Sequence, residues 1–109
     1  MESERSSLLR LLLTLANKTN LLIIEALSDG RLLKVAEVER RIERLGSKLT
    51  YRESVYKALE KLTDVDLLEK TYVKNKGICY KLSKRQLFID FVSGTYSLKN
   101  FTPGEIQPA

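Results

Sequence analysis

The hydrophobic pattern of this chain changes its period once, near residue 67. Before that point apolar residues recur every three or four positions, which predicts helices, and after it they alternate with polar residues, which predicts strands. Two β-rich runs flank the turn Asn75-Lys76-Gly77, so we expect a hairpin over residues 67–83. A chain of 109 residues has room for one core beneath several helices and such a hairpin.

Four segments with helical periodicity precede the hairpin. They cover, in order, about residues 6–16, 21–27, 35–45 and 50–63, with a short extended stretch at 31–33. Thr50 and Glu53 have the S/T-x-x-E spacing, in which a hydroxyl and a carboxylate cap free backbone N–H groups at the start of a helix. Asp66 is suited to the left-handed backbone conformation that ends this fourth helix.

The ends of the chain receive separate predictions. Residues 1–5 are expected to be disordered, residues 6–93 to form the domain, and residues 94–109 to form a loose tail. The spacing of Leu87, Phe88 and Phe91 predicts a last helix within that domain, over about residues 84–92.

Missing residue types narrow the possible chemistry. Cys79 is the only cysteine and histidine is absent, which excludes an intrachain disulfide, thiolate–imidazole zinc sites and His-dependent nucleophilic catalysis. No glycine loop that could cradle a phosphate and no pair of catalytic carboxylates is recognisable. We therefore expect a non-enzyme without cofactor or metal. A reducing, cytoplasmic setting fits the single thiol. The chain contains no run of about 20 apolar residues, so we expect no membrane partner.

Positive charge is concentrated in the C-terminal third. The formal net charge is +5; residues 70–109 carry seven basic and two acidic side chains, whereas residues 50–69 carry three basic and five acidic. Between Lys70 and Ile89 there are six cations and no anion. Such an uneven surface favours a polyanionic partner, most often nucleic acid, and an ordinary solvated surface is the alternative.

Several apolar positions in the third and fourth predicted helices, and residues in the predicted hairpin, match a known pattern of helices and strands. They are Val38, Leu45, Val55, Leu59, Leu62, Asp66-Leu67-Leu68 and Tyr80-Lys81-Leu82. With the order of elements, they resemble the winged helix-turn-helix proteins, and the ArsR-like transcription regulators in particular. The resemblance covers about residues 8–92, and Asp66 replaces the family's usual glycine. It implies an α+β fold, mostly α, with a two- or three-stranded antiparallel wing and terminal dimerisation helices.

In that family the recognition helix, here residues 50–63, lies in the major groove of double-stranded DNA. The candidate contacts on this helix are Thr50, Tyr51, Arg52, Ser54, Tyr56, Lys57 and Lys61. Arg52 is the best candidate for a base contact, because a guanidinium group can bridge guanine O6 and N7. A solvated, nearly neutral helix face is the alternative interpretation.

The wing and the acid-free run that follows it supply the candidate phosphate contacts. These are Lys70, Lys74, Asn75, Lys76, Lys81, Lys84 and Arg85. A hairpin tip that carries two lysines can follow a phosphate backbone and make binding salt-dependent. The alternative is that the lysines protect an edge strand from aggregation.

Both ends of the predicted domain have more apolar surface than one core needs. The candidate dimer interface consists of Leu8, Leu9, Leu12, Leu13, Leu87, Phe88 and Phe91. The resemblance implies pairing through terminal helices, which would place two recognition helices about 34 Å apart; the alternative is that these residues belong to the monomer's own core.

Two functions follow from these patterns. The first is a homodimeric, sequence-specific, DNA-binding transcription regulator in the cytoplasm, associated with the nucleoid if the source is prokaryotic. The second is a winged-helix interaction module within a transcription or replication assembly, which the nearly neutral recognition helix favours. Cys79 is expected to be an inert, half-buried thiol, and a redox role is left open.

Overall fold

Four helices are followed by two antiparallel β-hairpins in the computed structural model, which describes residues 3–46 and 52–101. The helices are α1 (Glu4–Leu15), α2 (Lys18–Ala26), α3 (Val35–Arg44) and α4 (Arg52–Asp64). The strands are β1 (Leu68–Val73), β2 (Gly77–Leu82), β3 (Lys84–Asp90) and β4 (Thr95–Asn100). The α+β class, mostly α, and the change from helices to strands near residue 67 are confirmed.

The first two helices begin earlier than the sequence predicts, because other side chains cap them. The Ser3 hydroxyl accepts a hydrogen bond from the Ser6 amide at 3.1 Å, and the Asn17 side chain accepts one from the Asn20 amide at 3.0 Å. Such caps satisfy backbone N–H groups that a helix start leaves unpaired. Helix α1 therefore starts inside the stretch 1–5 that was predicted to be disordered. The predicted Thr50 cap lies outside the described residues.

The core lies between the helices and the first hairpin. Its fully buried side chains include Leu11, Ile23, Leu27, Val38, Ile42, Val55, Leu59, Leu62 and Tyr80. The apolar stripes predicted for α3 and α4 are confirmed at these positions, with one exception. Leu45 is 43% exposed because α3 ends at Arg44 and Leu45 lies at its C-cap.

The first hairpin gains a third strand at one position. Strands β1 and β2 pair from Leu68 opposite Leu82 to Val73 opposite Gly77. Leu33, in the predicted extended stretch, exchanges two backbone hydrogen bonds with Tyr80, of 2.9 and 2.8 Å. Asp66 has a φ of 66°, so its predicted left-handed conformation is confirmed.

The predicted C-terminal helix is wrong: residues 84–100 form a second hairpin. Leu87 pairs with Leu98, and Ile89 pairs with Tyr96. These four side chains are half-buried on one face of the hairpin, whereas Phe88 and Phe91 are exposed by 54% and 83%. The apolar residues of this segment therefore follow the two-residue period of a strand. The tail predicted from residue 94 is also interrupted, since residues 95–100 belong to β4.

Helix α1 packs against this second hairpin. The Arg5 guanidinium donates a hydrogen bond to the Val92 carbonyl at 3.2 Å. Gly94, in the turn, has a φ of 74°, and a Cβ atom there would collide with the Arg5 side chain. Within the described residues no single helix is long and apolar enough to cross a membrane; α1 and α2 together reach that length and composition but are bent by 82° at their junction.

Candidate nucleic-acid interface

The outward face of α4 carries both signs of charge. Arg52 Nε lies 3.3 Å from Glu39 Oε2 of α3, with 69% of the arginine side chain exposed. Lys57 pairs with Glu53 at 3.3 Å, one helical turn away. Ser54 and Lys61 are also exposed, and so is Tyr56, by 45%. The described members of the predicted reading face are therefore all exposed on α4; Thr50 and Tyr51 lie outside the described residues.

Most of the predicted wing cations are held by partners within the protein. Lys70 lies 3.0 Å from Glu60, Lys81 lies 3.4 Å from Glu69, and Lys84 Nζ donates to Asn100 Oδ1 at 2.7 Å. Arg85 is exposed on β3. The predicted cations are present, but several of them form ion pairs or hydrogen bonds within the protein.

The tip of the first hairpin contains the two remaining lysines. Lys76 Nζ lies 2.8 Å from Glu37 Oε1 and donates a hydrogen bond to the Leu32 carbonyl at 3.2 Å. The hydrogen bond from Lys76 outweighs partial burial and lowers the pKa of Glu37 below its ordinary value. Lys74 is exposed beside Asn75, and within residues 3–46 and 52–101 it has no ion pair. Lys76 thus ties the tip to α3, while Lys74 extends into solvent.

This chain is similar to known proteins in structure but not detectably in sequence. No protein-family model and no curated protein matches the sequence. The fold is similar to a crystal structure of the ferric uptake regulator of Vibrio cholerae, a protein with DNA-binding domains. The two share 16% identity over 80% of this chain and 68% of the other, with a TM-score of 0.56. The fold is a winged-helix fold. Membership of the ArsR-like family stays a prediction.

In this winged helix a partly buried cluster fixes the wing, β1 and β2, against α4. Tyr80 Oη donates to Glu60 Oε2 at 2.5 Å, and Lys70 Nζ donates to Glu60 Oε1 at 3.1 Å. The bond from Tyr80, together with the bond from Lys70, outweighs partial burial and lowers the pKa of Glu60. Burial, and then the bond to Glu60, raises the pKa of Tyr80 well above its usual range. The cluster therefore sets the position of the wing relative to α4.

This cluster predicts a pH-dependent contribution to stability. Because the pKa of Glu60 is lowered on folding, its stabilisation is present above the ordinary value of 4.5 and is lost as pH falls through the folded-state value. Glu60→Gln is expected to lower the free energy of unfolding by about 1 kcal/mol at neutral pH and by less at an acidic pH below the ordinary value of 4.5. Urea unfolding at both pH values measures this, with the exposed Glu43→Gln as the control. A Glu60→Gln cost that is equal at both pH values would contradict the ionised hydrogen bond.

Three arginines outside the predicted site form a second charged region. Arg40 and Arg44 of α3 and Arg31 of the extended segment line a cleft beside Lys76. Their signal in the sequence is two arginines one helical turn apart, but helical spacing alone does not reveal that residue 31 and the wing tip lie beside them.

Two further predictions concern chemistry at other positions. Cys79 is fully buried in β2, more deeply than the half-buried thiol expected from the sequence. Among the described residues no three His, Cys, Asp or Glu side chains come together as a metal-binding group. The absence of a metal remains a prediction.

Proposed function

We propose that this chain is a transcription regulator that binds double-stranded DNA, with α4 in the major groove and the wing on the phosphate backbone. The main support for this proposal is the arrangement of α4 and the wing, two exposed elements of a winged-helix fold. The outward face of α4 presents Arg52, Tyr56 and Lys57, and the Tyr80–Glu60 hydrogen bond fixes the wing against the same helix. Similarity to a protein with DNA-binding domains supports this proposal.

Base reading is assigned to the first turns of α4. Arg52 is mostly exposed despite its contact with Glu39, and such surface ion pairs contribute little stability. Its guanidinium can therefore leave Glu39 for guanine at small cost and form a bidentate contact. Ser54, Tyr56, Lys57 and Lys61, with Thr50 and Tyr51, complete the proposed reading surface.

The proposal includes a homodimer in the cytoplasm. Leu9 and Leu13 of α1 are exposed by 57% and 65%, and Phe88 and Phe91 near the end of β3 by 54% and 83%. Contiguous exposed apolar surface marks interaction sites, and the proposal is that these side chains form such a surface. Leu8 is half-buried, Leu12 is 39% exposed, and Leu87 packs against the core. The interface would thus be formed by α1 and the outer face of the second hairpin, in place of the predicted C-terminal helix.

A second function is favoured by one observation. Lys70, Lys76 and Lys81 all pair with carboxylates of this chain, which reduces the charge available for DNA. A winged-helix module that binds another protein within a transcription or replication assembly would use the same apolar surface and would have weak affinity for duplex DNA.

Salt-titrated binding to duplex DNA separates the two functions. Lys74→Gln is expected to weaken binding to every duplex several-fold and to reduce the salt slope by about 1, because one phosphate contact is lost. The control is Lys99→Gln, which removes an exposed charge on β4. Fluorescence anisotropy with random duplexes and with a duplex selected from a random pool gives both quantities. Absence of duplex affinity in the unmodified protein would favour the interaction module.

A further inference from the structure

A cationic cleft lies on the flank of α3 that faces the extended segment 31–33. Its volume is about 330 Å³. The charged side chains that line it are Arg31, Glu37, Arg40, Arg41, Arg44 and Lys76. Glu39, by contrast, contacts Arg52 of α4 from α3 and does not line the cleft. The cleft is therefore distinct from the proposed base-reading surface.

The acidic groups at the cleft are already bound to cations. Arg41 Nη1 donates to the Ala26 carbonyl at 2.8 Å and to Asp29 Oδ2 at 2.9 Å. Burial alone would raise the pKa of Asp29, but hydrogen bonds from the Arg31 amide and the Arg41 guanidinium outweigh it and lower that pKa. Glu37 is similarly bound to Lys76. Both carboxylates are thus ionised and neutralised, and Arg41 and Lys76 serve the fold.

The other three cations are not neutralised in this way. Arg40 and Arg44 are exposed, and within the described residues neither has an ion pair. They are one helical turn apart, and like charges at this spacing destabilise a helix. Arg31 has only a 3.7 Å contact with Asp29, and 75% of its side chain is exposed. Within the described residues, the cleft therefore carries two arginines without an ion pair and a third with only a long, exposed one.

We infer that this cleft binds a phosphate group through Arg31, Arg40 and Arg44. Guanidinium groups form paired hydrogen bonds with phosphate oxygens, and three of them line this one cleft. The anion would also relieve the repulsion between Arg40 and Arg44.

The backbone of bound DNA is the favoured source of this phosphate. Lys76 lines the cleft and belongs to the same wing tip as Lys74, so the proposed DNA surface continues into it. This source rests on the proposed function, whereas the phosphate chemistry of the cleft does not. A free phosphorylated small molecule is the other source, since the cleft volume lies at the lower end of the range for small-ligand sites.

The test compares two double variants of the full chain. Arg40→Gln with Arg44→Gln removes the pair from the cleft, and glutamine retains good helix propensity. Lys18→Gln with Lys99→Gln removes the same charge from exposed positions on α2 and β4. If the cleft takes backbone phosphate, the first variant reduces the salt slope of duplex binding by about 1 to 2 more than the second. Thermal unfolding by circular dichroism establishes that both variants are folded.

A second measurement makes the result independent of DNA binding. Sodium pyrophosphate is titrated into the isotopically labelled protein, and amide chemical shifts are followed by NMR. One supporting result is saturable shifts at residues 31–33 and in α3 that disappear in the arginine variant. If the salt slope of duplex binding is unchanged in that variant, the phosphate bound by the cleft belongs to a small molecule. If neither measurement distinguishes the arginine variant from the lysine variant, the phosphate site is overturned. If Lys74→Gln changes neither the affinity nor the salt slope of duplex binding, that result counts against the proposed function instead.

Discussion

Replacing Tyr80 by alanine is expected to lower the free energy of unfolding by about 4 kcal/mol, since large aromatic-to-alanine changes in a core typically cost about 3 to 5 kcal/mol. The Tyr80 side chain is fully buried, its hydroxyl bonds Glu60, and its backbone pairs with Leu33. The substitution would leave a cavity between α4 and β2 and would free the carboxylate of Glu60 from one of its two partners. Urea unfolding monitored by circular dichroism measures the change.

Two matched variants identify the cause of that loss. Tyr72→Ala removes a tyrosine from the neighbouring strand, but its side chain is 70% exposed, so the expected cost is about 0.5 kcal/mol or less. Tyr80→Phe keeps the ring and removes only the hydroxyl, for which about 1 to 2 kcal/mol is expected. Equal costs for Tyr80→Ala and Tyr72→Ala would contradict the role of Tyr80 as the buried link between wing and helix.

The local parts of this fold could be predicted from the sequence. Helix α3 and the first hairpin follow from spacing alone, because each is governed by residues a few positions apart. Residues 84–92 show the limit of such reasoning. Leu87 and Phe91 fit a helical stripe, but Leu87 and Ile89 fit a strand equally well. The choice depends on β4, whose Tyr96 and Leu98 pair across the hairpin, and the sequence prediction assigned that segment to a tail.

The candidate site was predictable in its residue types but not in its pairings. Only the tertiary fold brings Lys76 of the hairpin tip to Glu37 of α3, and Tyr80 of β2 to Glu60 of α4. A count of charges along the chain treats Lys76 as free to bind phosphate, whereas the fold gives it a carboxylate partner. The same packing leaves Arg40 and Arg44 without described ion-pair partners, although their local sequence, rich in both signs, suggests an ordinary solvated helix.

Replacing Leu9 and Leu13 together by serine is expected to convert the proposed homodimer into a monomer. Both leucines are exposed on α1, so the change should cost the folded monomer little stability, while removing apolar area from the interface. Two linked recognition helices gain affinity from their joint attachment, typically by 100-fold or more. The double variant should therefore lose about that factor in affinity for a two-half-site duplex. Analytical ultracentrifugation measures the mass, and fluorescence anisotropy measures the affinity.

The control for this change is Ile78→Ser, at an apolar side chain on the wing that is 45% exposed and is not part of the proposed interface. It should leave the mass unchanged. A duplex with one half-site separates dimerisation from DNA contact, because a monomer that retains α4 and the wing should bind it about as well as the unmodified protein does. A dimer mass that persists in the double variant would place the interface elsewhere. A monomer mass in the unmodified protein would remove the homodimer from the proposal and leave each recognition helix to act alone.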